Sequence, residues 1–185
     1  MTDPAPRWPR DVPALDRAPA REFVEAMAPL FEGAPGFLWR LAAARPFGSP
    51  AELFRGARWL AHRLPEPLQL ELIDAHPRLG APPASVSAMS FREQGYDREA
   101  AANLASEAAR ERERVAAELD RLNREYEGMF GFRYCVFVAG RPRSALLPGM
   151  RAALTADRES ELHRALDAVV DIAADRAGVR DWREA

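Results

Sequence analysis

At 185 residues, 48% hydrophobic and 29% charged, the chain has the length and composition of one soluble globular domain. A net charge of −2 and a pI near 6.0 leave no electrostatic footprint for nucleic acid. All 26 basic residues counted as Lys+Arg are arginines, which excludes a lysine Schiff base, pyridoxal-phosphate attachment and a P-loop lysine.

Residues 1–19 carry Pro4, Pro6, Pro9, Pro13 and Pro19 and are expected to be an extended or disordered arm, anchored by Trp8. The remainder, residues 20–185, reads as one helical domain. Phe23, Met27 and Leu30 share a helical face ending near Gly33, and a short helix over Phe37–Ala44 stops before Pro46. Ser49-Pro50-Ala51-Glu52 is a capping box with proline at the first helical position, opening a helix to about Arg63. Another runs from about Pro67 to Ala75, where Pro77 forces an end and leaves His76 at the helix C-terminus.

From Ser90 a short helix leads past Gly95 into the longest periodic segment of the chain. There Ala101, Leu104, Ala108, Val115, Leu119, Leu122, Tyr126 and Met129 recur at three- and four-residue spacing, up to Phe130-Gly131. Tyr134–Ala139 is an apolar run of β-type residues with no pairing partner, expected to be an extended crossing segment. Helices from about Ser144 to Leu154 and from Asp157 to about Arg176 complete an all-α fold of about seven to nine helices.

The chemistry open to such a chain rests on His, carboxylates and Arg. His76 is either a C-cap or a proton-transfer group, imidazole being the side chain best matched to neutral pH. Ser90-x-x-Glu93 is either a capping box or a helix start whose carboxylate faces the loop beginning at His76, with Gln94 offering a donor and an acceptor. On the last helix Leu162, Leu166, Val169, Ala173 and Arg176 fall on one stripe. Arg176 must therefore be paired, serve an anionic ligand through its planar fork, or snorkel at a frayed helix end.

His62 and His163 lie in charged helical surfaces and are expected to be solvated. The three histidines have no ligand-like spacing and Cys135 is alone, so neither a metal site nor an internal disulfide is expected. No nucleophile elbow or Gly-rich phosphate loop occurs. With no membrane-length apolar run and no signal-peptide core, the expected location is the cytoplasm.

Taken in order, Arg45-Pro46-Phe47, His76-Pro77 with Leu79-Gly80, Ser90-x-x-Glu93-Gln94, Leu122-Asn123-x-x-Tyr126, Phe130-Gly131-Phe132, Arg151, Glu161, and Ile172 with Arg176 resemble one family. It is the 2-oxo-4-hydroxy-4-carboxy-5-ureidoimidazoline (OHCU) decarboxylase family of purine degradation, and the resemblance covers roughly residues 20–178. It implies an all-α fold, no cofactor, (S)-allantoin and CO2 as products, and commonly a homodimer. Its catalytic histidine and glutamate fall on His76 and Glu93. Its substrate-contacting positions fall on Pro77, Ser90, Gln94, Arg176 and the backbone near Cys135 and Val136.

Two departures stand out. Arg78 replaces an acidic residue common in the family, within a short Pro-rich loop, and the stretch between Gln94 and Leu122 is longer by about one to two helical turns. The alternatives are a cofactor-free hydrolase or isomerase of another ureide ring, and a non-catalytic helical module.

Overall fold

The computed structural model describes Trp8, residues 11–97 and residues 106–183. Among the described residues there is no strand, and nine α-helices can be bounded. They are α1 Val12–Arg17, α2 Ala20–Met27, α3 Pro35–Ala43, α4 Pro50–Arg63, α5 Glu66–Asp74, α6 Ala88–Glu93, α7 Ser106–Phe130, α8 Leu147–Ala153 and α9 Arg158–Arg176. Three short 3₁₀ turns occupy Ala28–Phe31, Pro83–Ser85 and Arg143–Leu146. No helix of the described residues is long and apolar enough to cross a membrane.

Two compact units divide the chain, Met1–Ala75 with Leu166–Ala185 and His76–Ala165, so the boundary falls within α9. In the first, α2 packs on α3, and α3 on α4 and α5. Phe23, Met27, Phe31, Phe37, Leu41, Phe54 and Leu72 are all fully buried. In the second, α7 packs on α8, and Leu119, Leu122, Tyr126, Phe130, Phe132 and Met150 form the apolar interior.

The Pro-rich arm is the main departure from expectation. Its second half is a helix: the Asp11 carboxylate caps α1 by accepting from the Ala14 N–H at 2.9 Å, and Val12 and Leu15 are buried. Pro13 lies in the first turn of α1 and Pro19 just before α2, positions where a missing N–H costs no helical hydrogen bond. Proline here marks helix starts. Trp8 is buried, its ring centroid 6.1 Å from that of Phe54.

Arg45 closes the C-terminus of α1, donating to the carbonyls of Leu15 at 2.8 Å and Ala18 at 2.7 Å. The Asp16 carboxylate returns the tie, accepting from the N–H groups of Phe47 at 3.0 Å and Gly48 at 2.8 Å. The Arg45-Pro46-Phe47 motif therefore satisfies the orphan carbonyls of a helix end. As expected, Ser49 caps α4, its hydroxyl accepting from the Glu52 N–H at 3.2 Å.

α7 ends at Phe130, as its periodicity predicts, with Val115, Leu119, Leu122 and Tyr126 buried along it. Met129, expected on the same face, is 54% exposed instead. Ala101 and Leu104 lie outside the described residues. Residues 133–138 run without regular secondary structure, with Tyr134, Cys135 and Val138 buried, which matches the expected extended segment.

Candidate active site

His76 follows the last turn of α5 and opens the second unit, with only 4% of its surface exposed. The loop after it is tied down residue by residue. Arg133 donates to the His76 carbonyl at 2.9 Å, the Gln94 amide N–H to the Arg78 carbonyl at 3.2 Å, and Asn123 to the Leu79 carbonyl at 2.9 Å. The Gly80 N–H donates to Gln94 Oε1 at 2.7 Å, and the Tyr96 hydroxyl to the Ala81 carbonyl at 2.5 Å.

Gly80 itself has φ +80°, a left-handed conformation that requires glycine, and a Cβ there would also press on Leu119, 2.9 Å from its Cδ1. Arg78 reaches away from the loop to a two-pronged pair with Glu127, Nε to Oε1 at 2.6 Å. Five side chains from beyond residue 90 hold this short segment, so the imidazole is mounted on a loop with little freedom to move.

The structure corrects the capping box at Ser90. The N-cap of α6 is Ser87, whose hydroxyl accepts from the Ser90 N–H at 3.1 Å. Ser90 lies inside the helix and is 2% exposed, and Glu93 is the last helical residue. A carboxylate at that end gains nothing from the macrodipole, which favours acids in the first turn. Capping therefore explains neither residue. Gln94, the C-cap of α6, is buried with its amide oxygen on Gly80 and its amide nitrogen on Arg78. Through it the end of α6, where Glu93 sits, is joined to the loop that His76 opens.

Cys135 and Val136 lie in the extended segment of the same unit. The Cys135 carbonyl accepts from Arg164 Nη1 at 2.8 Å. Arg164 Nε also donates to Glu161 Oε2 at 2.8 Å, and the buried Tyr126 hydroxyl donates to the same oxygen at 2.8 Å. Burial, reinforced by the hydrogen bond to Glu161, pushes the Tyr126 phenol well above its ordinary value. Burial also raises that of Tyr134, whose ring Arg164 overlies at 4.6 Å.

Arg164 carries no signal of its own in the sequence. Glu161 does: with Ala165, Ala168 and Ile172 it forms a buried stripe at helical spacing, the same rule that singled out Arg176. Arg151, by contrast, pairs with Glu118, at 3.0 Å from Nη2.

Arg176 belongs to the first unit, whereas His76, Pro77, Ser90, Glu93, Gln94, Cys135 and Val136 all belong to the second. Its side chain is 2% exposed, so it does not snorkel. It pairs with Glu32 at 2.8 Å and donates to the carbonyls of Pro29 and Leu30, each at 3.2 Å. A buried guanidinium so compensated escapes the penalty of an isolated charge. His62, expected to be solvated, is half-buried and 2.7 Å from Asp167, a carboxylate it shares with Arg58. His163 is exposed. No cluster of three or more His, Cys, Asp or Glu fit to hold a metal ion occurs among the described residues.

The helical fold is similar to that of two solved structures. A crystal structure of OHCU decarboxylase in the presence of (S)-allantoin matches 79% of this chain and 90% of its own, with TM-score 0.57 and 22% identity. One of (S)-allantoin synthase matches 91% of this chain and 53% of its own, with TM-score 0.62 and 19% identity. The fold is thus that of the OHCU decarboxylases.

In sequence, the family profile for OHCU decarboxylase matches residues 16–178, and the chain belongs to that family. It is 30% identical to a 2-oxo-4-hydroxy-4-carboxy-5-ureidoimidazoline decarboxylase of Haloferax volcanii, over 90% of this chain and 93% of that protein. It is also 30% identical to the uric acid degradation bifunctional protein PucL of Bacillus subtilis, over 86% of this chain but only 30% of that protein's length.

Proposed function

We propose that this chain removes CO2 from OHCU to give (S)-allantoin, without a cofactor and in the cytoplasm, and that it does so as a homodimer. Family membership supports the substrate class, and the single observation that carries the site is the Gln94 tie between the end of α6 and the 78–80 loop. It links the segments bearing the two groups best suited to proton transfer, His76 and Glu93.

The substrate is a small ring with a carboxylate, a hydroxyl and a ureido group. When the carbon–carboxylate bond breaks, its electron pair passes to the adjacent C=N unit, so the substrate supplies its own electron sink. A proton must then be delivered to one face of the ring to set the configuration of the product. The protein's tasks are to orient the ring, hold the carboxylate out of its plane, and manage that proton.

His76 is assigned the principal acid/base role, beside the hydroxyl and carboxylate. Glu93 binds ring or ureido N–H groups. Pro77, Ser90, Gln94 and the Cys135–Val136 backbone contact the ring, and Arg176 provides charge-assisted hydrogen bonds to substrate oxygens.

The test follows the absorbance of freshly made OHCU with and without the protein, before and after exhaustive chelation. Decay far faster than the spontaneous rate, unchanged by chelation, is expected. Decay at the spontaneous rate would leave a non-catalytic helical module, and dependence on an added divalent ion would end the cofactor-free mechanism.

A further inference from the structure

We infer that Arg164 is a positioning residue, held by Glu161 and Tyr126, which fixes the peptide between Cys135 and Val136 and so aims the Val136 N–H at the substrate. The inference rests on the reading of the Cys135–Val136 backbone as a substrate contact. A peptide unit is planar and trans, so the carbonyl of one residue and the N–H of the next lie in one plane and point in opposite directions. Fixing the Cys135 carbonyl from one side therefore fixes the Val136 N–H toward the other.

Arg164 makes that fixation firm. Nη1 donates to the Cys135 carbonyl at 2.8 Å while Nε donates to Glu161 at 2.8 Å, so two edges of one rigid guanidinium are engaged at once. Glu161 is itself buried and receives the Tyr126 hydroxyl at 2.8 Å, with Tyr126 fully buried. Each member is oriented by the next, from α7 through α9 to the extended segment. A charged donor on the carbonyl also polarises the peptide, making its N–H a stronger donor.

No regular secondary structure holds residues 133–138. In a helix or sheet the ladder would orient this peptide. Here Arg164 grips it at Cys135, and Arg141 grips the Phe137 and Val138 carbonyls further along, at 2.6 and 3.0 Å.

The experiment compares wild type, Arg164→Met and Arg164→Lys in OHCU turnover, and records amide spectra of protein labelled with ¹⁵N-valine. Methionine keeps much of the stem and removes the fork; lysine keeps the charge but not two fixed donors. For Arg164→Met the expected result is KM raised about tenfold or more with kcat changed less, the mark of a lost contact made equally in ground and transition states. Arg164→Lys should recover part of that loss. The Val136 amide should shift in Arg164→Met more than those of Val12, Val24 and Val179, which belong to the other unit.

Unchanged KM, with lower activity that tracks only the folded fraction, would reduce Arg164 to a structural residue and overturn the inference. If the wild type does not turn over OHCU, the reaction reading falls separately. The amide spectra then decide whether Arg164 orients the peptide at all: an unmoved Val136 amide refutes it.

Discussion

Replacing His76 with asparagine separates two roles at the end of α5, the hydrogen-bonding turn and the exchangeable proton. Asparagine keeps the first and removes the second. The Arg133 bond to the residue 76 carbonyl does not depend on the side chain, so the loop should hold its shape. The expected outcome is a wild-type melting curve with turnover lowered about 10²–10⁴-fold, the usual weight of general acid–base catalysis. Near-normal turnover in that variant would move the proton chemistry to Glu93 or a bound water.

Ser87 and Glu93 divide in the same way, capping against chemistry. Because Ser87 holds the Ser90 N–H, Ser87→Ala should cost about 1 kcal/mol of stability and leave kcat close to wild type. Glu93→Ala should do the opposite, with little change in the denaturation midpoint and a large loss of turnover. The sequence pattern alone points to Ser90 as the cap, since Ser-x-x-Glu is the standard signature. The true cap lies one turn earlier at Ser87, and the pattern was ambiguous because serines stand at both positions. What sequence did show correctly is that a helix ends just before His76-Pro77; what it could not show is that Gln94, a donor and an acceptor by chemistry, clamps the loop with both ends of its amide.

At the scale of elements, periodicity and proline placement made most helices legible: the starts of α4 and α5 and the end of α7 fall within about two residues of expectation. α1 is not legible from proline content alone, because Pro13 in its first turn and Pro19 just before α2 start helices rather than break them. Contacts between elements were the other hidden layer. Nothing in local pattern says that Arg164 reaches the Cys135 carbonyl, or that Asn123 of α7 reaches the Leu79 carbonyl.

The α7–α9 tie also carries a pH signature. Below about pH 10 the Tyr126 phenol is protonated in both native and unfolded chains. Above it the unfolded chain releases that proton while the native one retains it, because burial raises the native value. The unfolded state then binds fewer protons, so stability falls as pH rises. Tyr126→Phe should flatten the loss of stability between about pH 10 and 12, measured by urea midpoints, relative to wild type. An identical alkaline slope in the two proteins would show that Tyr126 ionises freely in the native state.

For the whole molecule, the division into two units places Arg176 in one and the remaining candidate site residues in the other. Arg176 is buried, pairs with Glu32 and donates to the Pro29 and Leu30 carbonyls. The chain spans nearly all of its Haloferax relative but only 30% of the Bacillus bifunctional protein. Light scattering at micromolar concentration should give a dimer mass; a monomer that still turns over OHCU would remove the homodimer from the account.

Fixing one face of the ring while CO2 departs is what would make the proposed reaction stereospecific. It is tested most directly by the circular dichroism of allantoin formed from fresh OHCU. With the protein present, a signal of the (S) sign should grow as fast as OHCU disappears, well ahead of spontaneous decay. Product that forms only at the spontaneous rate and shows no dichroism would contradict the account.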